Sequence, residues 1–132
     1  MRRKTVLTSE DVHKMVAACK AAGAAIKREP TIAIVDEAGH LLYMERPDRN
    51  PVFTVEVATM KAKTAALRGV PSSAFATRVK AKPGFLMFPN FLGVEGGIPI
   101  MFESESIGGV GVSGISYDDE PVAQAGVDAF GK

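Results

Sequence analysis

Residues 31–45 have the sequence TIAIVDEAGHLLYME, the pattern of two β-strands joined by a turn. The first five residues are β-branched or alanine, which is typical of a buried strand. Turn-forming residues follow at 36–39, where Gly39 can take a positive φ. The second apolar run, residues 40–45, then returns as a strand. This pattern predicts an antiparallel hairpin.

Helical patterns lie on both sides of the hairpin. Apolar residues recur at steps of three and four over residues 9–27 and over residues 53–69. Proline and serine open a shorter predicted helix over residues 71–80, and the acidic and hydroxyl residues 116–120 introduce a last one. Four helices are therefore predicted.

A second hairpin is predicted near the C-terminal end. Residues 98–103 and 106–114 are apolar runs around a tight turn at Ser104 and Glu105. The full order is then α, β, β, α, α, β, β, α. Because it contains hairpins rather than strand-helix-strand crossovers, it predicts an α+β layered domain with an antiparallel sheet.

The length and composition of the chain fit one ordinary domain. Two domains would each be too short for a core, so residues 1–132 are predicted to form one domain, with residues 1–6 as a flexible tail. Sixteen basic and fifteen acidic residues leave a charge of +1, which disfavours nucleic acid as a partner. No apolar run approaches the length of about 18 residues that a membrane span needs. One cysteine and the lack of a secretory signal pattern indicate the cytoplasm.

A glycine-rich motif in the last predicted strand resembles a nucleotide fingerprint in its letters only. Residues 109–114 are GVGVSG, but a dinucleotide site needs such glycines in a turn between a strand and a helix. Ser113 is also one glycine short of a nucleophile elbow. The motif instead predicts a flat strand against which a helix or a ligand can lie closely.

Histidines are the first candidate functional residues. Two histidines and one cysteine are too few for a self-sufficient zinc site, so no metal is predicted. His13 follows Val12 at the edge of the first helix's apolar face, where its imidazole could bind haem iron or simply contact water. His40 stands at the hairpin turn beside Asp36 and Glu37, whose carboxylates could orient it for proton transfer. The alternative is a turn histidine in solvent.

Lys61 is the second candidate. Its neighbours Ala58 and Ala65 are small, which leaves space for an ammonium group to point into a cavity and hold a carboxylate or an enolate oxygen. The alternative is an ordinary surface lysine. Residues 85–92, FLMFPNFL, are almost wholly apolar and include three phenylalanines. Such a segment would form a large solvent-exposed apolar patch unless a subunit, a ligand or the core covers it.

Five short motifs occur together in a recognisable order. They are VDEAGHL at 35–41, KAKTA at 61–65, GGIPI at 96–100, IGGVGVSG at 107–114, and DDE at 118–120 followed by AQAG at 123–126. Together they resemble the GlcG/HbpS family, which includes the C-terminal domain of PduO-type proteins. The resemblance spans roughly residues 7–130.

The resemblance implies a profilin-like antiparallel sheet between helices, assembly into tetramers or octamers and, in several members, haem binding. In haem-binding relatives a histidine on the first helix is the iron ligand, a role that falls to His13 here. The family's fold also implies that the hairpin turn, Lys61 and the pair Gly96 and Gly97 meet in one polar cleft. Residues 85–92 would form its apolar wall, and the glycine N–H groups would contact the ligand.

The predicted function is therefore a small-ligand-binding homo-oligomer whose ligand is haem or another planar organic molecule. One alternative is a cofactor-independent enzyme acting on a small oxo-acid or hydroxy-aromatic compound, with Lys61 as electrostatic anchor and His40 or Glu37 for proton transfer. Another is a structural or accessory subunit of a catabolic system, which needs no site.

Overall fold

The computed structural model describes residues 1–132 as one four-stranded antiparallel sheet and four α-helices. The helices are α1 (Ser9–Ala25), α2 (Thr54–Arg68), α3 (Ala74–Ala81) and α4 (Asp119–Asp128). The strands are β1 (Thr31–Asp36), β2 (Leu41–Glu45), β3 (Gly97–Phe102) and β4 (Glu105–Ser113). Short 3-10 helices cover Pro83–Met87 and Ser116–Asp118. The strand order is β2-β1-β4-β3 with every pair antiparallel, which confirms the predicted α+β class.

The sheet carries helices on both faces. Ile32 and Ile34 of β1 face α1 and α4, whose buried side chains join them in the larger core cluster. Ala33 and Val35, which alternate with them, face α2 in a smaller cluster rich in alanine. Since β1 is covered on both faces, its residues are uniformly apolar rather than alternating with polar ones. None of the helices is long and apolar enough to cross a lipid bilayer.

Strand β4 is the flat, glycine-rich strand that the sequence predicts. A Cβ atom on Gly111 would overlap the carbonyl of Ala58, and one on Gly109 would overlap the carbonyl of Ala62. Helix α2 lies this close because glycine faces it from the strand and alanine from the helix. The GVGVSG motif therefore serves helix packing, and it lies within a strand rather than in a phosphate-binding turn.

Several boundaries differ from the prediction, among them the start of α3 at Ala74 instead of residue 71, and two of the differences have a clear cause in backbone conformation. Helix α1 ends at Ala25, short of the predicted residue 27, because Lys27 adopts a left-handed φ of 58°. The turn between β3 and β4 is formed by Glu103 and Ser104, one residue earlier than predicted. Both have positive φ, 48° and 68°, as a two-residue hairpin turn that follows the strand twist requires.

Candidate functional site

Lys61 lies inside the molecule rather than on its surface. Its side chain is 2% exposed, and its Nζ donates hydrogen bonds to Asp119 Oδ2 and to the carbonyl oxygen of Val112, both at 3.0 Å. The ammonium thus joins α2 to the end of β4 and the start of α4. A buried lysine in this position needs such partners, since an unpaired charge is very costly away from water.

The glycines predicted to lie beside Lys61 do so. A Cβ atom on Gly96 would lie 3.0 Å from Lys61 Nζ, and one on Gly97 would overlap the Lys61 carbonyl. Gly96 also has a φ of 126°, which other residues rarely adopt. The N–H of Gly97 donates to Ser72 Oγ at 2.9 Å, so this amide is already occupied within the chain.

Asp119 is the site residue that sequence reasoning missed. Its Oδ2 accepts from Lys61, and its Oδ1 accepts from the N–H of Ile115 at 3.0 Å. The sequence presents Asp118, Asp119 and Glu120 as acidic residues at a helix start and as part of a family motif, with no site role for any of them. Nothing in that run distinguishes the one carboxylate that turns inward, because each of the three would suit the first turn of a helix.

An open cleft of about 580 Å³ lies over this ion pair. It is lined by Gly93, Val94, Glu95, Ser116, Tyr117 and Asp119. Asp119 therefore stands between Lys61 and the cleft, and its carboxylate matches the ammonium charge. The sequence predicts that Lys61 holds a ligand carboxylate, which requires an unpaired positive charge facing the cleft. The ion pair with Asp119 leaves no such charge. Residues 85–92 are not part of the lining either, so they do not form the predicted apolar wall.

The β1–β2 hairpin turn does not lie beside Lys61. The prediction of one cleft shared by this turn and Lys61 is therefore wrong. Asp36 pairs with Gly108 on β4, whereas Lys61 reaches Val112, four residues further along the strand. Four residues of strand span about 13 Å. The side chain of His40 is 81% exposed, with its Nδ1 4.0 Å from Asp36 Oδ2.

Glu37, the third catalytic candidate, is engaged at the surface. Its Oε1 accepts from Lys4 Nζ at 2.7 Å. The hydrogen bond from Lys4 is the main cause that lowers the pKa of Glu37, which favours the ionised carboxylate. The candidates Glu37 and His40 therefore share one end of the sheet, and Lys61 with Gly96 and Gly97 occupies another part.

His13 is exposed on α1 and borders a second, smaller cleft. This cleft measures about 270 Å³ and is lined by Leu7, Thr8, Ser9, Val12, His13 and Leu42. Leu42 reaches it through an irregularity of β2: the pairs Ile34–Tyr43 and Val35–Leu41 leave Leu42 without an opposite residue. A bulge of this kind turns a side chain away from its regular alternation. The bulge therefore places the apolar side chain of Leu42 in the same cleft as the imidazole of His13.

Residues 85–92 form an aromatic cluster that is only partly covered. The rings of Phe85, Phe88 and Phe91 surround the buried Phe75, with centroid separations between 5.2 and 6.4 Å. Met87 is 85% exposed and lies beside the partly exposed Phe88. The segment thus contributes to packing at its rings and leaves apolar side chains in solvent. No group of three or more histidine, cysteine or acidic side chains is placed to hold a metal ion.

Comparisons with known proteins point to one family. Residues 7–128 match the family model described as haem degrading protein HbpS-like. Protein GlcG of Escherichia coli K12 is 29% identical over 114 residues, which cover 86% of this chain and 85% of that protein. The crystal structure of a double mutant of Streptomyces reticuli HbpS superposes with a TM-score of 0.93 at 30% identity, covering 100% of this chain and 92% of that one. A PduOC:Heme complex superposes with a TM-score of 0.86 at 22% identity, covering 96% of each chain.

Proposed function

The chain belongs to the HbpS-like family, and from this membership we propose that it binds haem or another flat organic molecule, with His13 as the iron ligand. The observation that carries the proposal is the cleft beside His13, which combines an imidazole with the apolar side chains of Leu7, Val12 and Leu42. Histidine is a common axial ligand of haem iron, and apolar side chains suit the faces of a macrocycle. The heme complex of the structurally similar PduOC adds support.

The size of this cleft limits how a ligand would sit. Its volume of about 270 Å³ is just below the range of about 300–1,000 Å³ that is usual for sites enclosing an organic ligand. The cleft therefore suits one edge of a flat molecule, and the rest of that molecule would extend beyond the chain. When bound, haem would supply iron-centred chemistry. The chain's own part is to hold the iron at the His13 imidazole and to keep water from the buried edge.

The test is a hemin titration of the purified protein followed at the Soret band. We expect a shifted Soret band for the unchanged protein and loss of that shift, or a dissociation constant at least tenfold higher, for His13→Ala. His40→Ala is the matched control because His40 is the only other histidine and is largely exposed. If His13→Ala binds hemin with the same spectrum and affinity, the ligand assignment fails. If the unchanged protein does not bind hemin, the haem proposal fails as a whole.

The geometry gives less support to an enzyme built on Lys61, His40 and Glu37, since these side chains do not meet and Lys61 is paired with Asp119.

We further propose a homo-oligomer, a tetramer or an octamer, because the exposed apolar side chains of residues 85–92 need cover. Its expected compartment is the cytoplasm, where the lone Cys19 stays reduced.

A further inference from the structure

We propose that a second copy of this chain docks its β3–β4 turn onto an arginine–aromatic patch at the end of α2. This patch is defined by Arg68, Arg78, Phe75, Phe85 and Phe88. The proposal rests on the oligomer proposed above and assigns the contact that holds two copies together. Four observations carry it: two unneutralised arginines, exposed apolar side chains around them, an acidic turn without partners, and the position of patch and turn at one end of the molecule.

The arginines of the patch lie against aromatic rings and not against acids. The guanidinium of Arg68 lies 5.2 Å from the centroid of Phe75, and that of Arg78 lies 5.2 Å from the centroid of Phe85. Neither takes part in any of the ion pairs of the chain. Arg68 Nη1 is buried and has no hydrogen-bond partner. Buried polar groups are nearly always satisfied in native structures, so the missing partner needs an explanation.

The electrostatic surroundings of Arg68 point the same way. Burial, and after it the charge of Arg78, lowers the pKa of Arg68. Two like charges are thus held close together with no carboxylate between them. A carboxylate from another molecule would relieve this repulsion, and arginine is well suited to receive it because its planar fork of donors matches carboxylate geometry.

Exposed apolar side chains border the patch. Leu86 is 72% exposed and Met87 is 85% exposed, at the end of the 3-10 helix Pro83–Met87. Phe88 itself is half exposed. Aromatic residues, methionine and arginine are enriched where proteins contact one another. The surface therefore fits a protein partner that brings both carboxylates and apolar groups.

The turn between β3 and β4 has this composition. Glu103 and Glu105 are exposed and take part in no ion pair, and they flank Ser104 at the tip of the hairpin. The two residues before them, Met101 and Phe102, are also partly exposed, with 40% and 41% of their surface in solvent. They end β3, which is an edge strand of the sheet. The acidic turn and the basic patch are thus complementary in charge, and both are partly apolar.

The patch and the turn lie at the same end of the molecule. Ser106 Oγ, just after the turn, donates to the carbonyl of Ala66 at 2.6 Å, two residues before Arg68 ends α2. Complementary surfaces that lie side by side on one chain can be satisfied reciprocally by a twofold axis between two copies. Each copy would then receive the other's turn on its own patch.

The experiment uses charge reversal and mixing. Arg78 is exposed, so Arg78→Glu reverses one of the two charges of the patch with little effect on folding, and Glu103→Lys/Glu105→Lys reverses the turn. Lys80→Glu is the matched control, since it makes the same charge change on an exposed position of the same helix α3. Molar mass is measured by sedimentation equilibrium at micromolar concentration, and far-UV circular dichroism checks that each variant folds.

We expect each variant alone to associate at least about tenfold more weakly, because like charges then face one another at the changed positions. An equimolar mixture of the two should recover association, since opposite charges meet again in the mixed pair. Lys80→Glu should associate like the unchanged protein. If both variants still assemble normally, or if the mixture recovers nothing, the docking assignment is overturned while the oligomer stands. If the unchanged protein is a 14.0 kDa monomer, both proposals are overturned.

Discussion

Removing the carboxylate of Asp119 should be among the most destabilising single changes in this chain. The Lys61 ammonium is 2% exposed and has two partners, Asp119 Oδ2 and the carbonyl of Val112, each at 3.0 Å. In Asp119→Ala the ammonium keeps one neutral acceptor, the carbonyl of Val112, and the N–H of Ile115 loses its acceptor. Breaking a buried ion pair in this way costs about 3–5 kcal/mol of unfolding free energy. We expect a loss in this range.

The reverse change should cost less. In Lys61→Met the carboxylate of Asp119 keeps its hydrogen bond from Ile115 and borders the open cleft, so water can reach it. Losing one hydrogen bond to a charged group costs about 1.5–3 kcal/mol. In the double variant neither charge remains, and the cost should fall below the sum of the two single costs by about 0.5–3 kcal/mol.

The assay is equilibrium unfolding in urea followed by circular dichroism, with the slope of the transition compared across variants. Lys63→Met is the matched control, because Lys63 lies on the same helix and forms no ion pair. It should change the unfolding free energy by no more than about 0.5 kcal/mol. A cost below about 1 kcal/mol for Asp119→Ala, or strictly additive costs in the double variant, would refute the reasoning.

Three further predictions concern packing, a buried thiol and a helix cap. Gly111→Ala should lower the unfolding free energy by about 1–3 kcal/mol, because the new methyl group would overlap an α2 carbonyl. Gly84→Ala is the control, since a Cβ there meets nothing within 4 Å. Urea unfolding of both variants measures the difference. Burial raises the pKa of Cys19 to about 12, so its thiol should react with Ellman's reagent only in denaturant, and fast reaction of the native protein would contradict this. Backbone and side-chain hydrogen bonds from Thr8 lower the pKa of Asp11. The stabilisation from these bonds is therefore complete above the unfolded-state pKa of about 3.9, and it is lost as the pH falls through the lowered folded-state pKa. Thr8→Ala should therefore cost about 0.5–2 kcal/mol at neutral pH and less in acid, as thermal unfolding at several pH values would reveal.

Local patterns in the sequence are enough to predict the elements and their class. Turn residues between apolar runs predict both hairpins. The spacing of apolar residues predicts the two long helices, and helix-start residues predict the two shorter ones. These signals are local because strand and helix periods of two and 3.6 residues repeat within a few turns of the chain. The glycines of β4 predict a close packing partner for the same reason, since only a residue without a side chain leaves that space.

The grouping of the site residues depends on tertiary structure. Lys61 and Asp119 are 58 positions apart, and no periodicity relates them. The order β2-β1-β4-β3 places the β1–β2 turn opposite Gly108 and the Lys61 ammonium beside Val112, which separates the predicted catalytic candidates. The bulge at Leu42 likewise decides what lies beside His13. A periodic pattern states which face of an element is apolar, but register and strand order are set by the packing of whole elements against one another, and these decide which side chains meet.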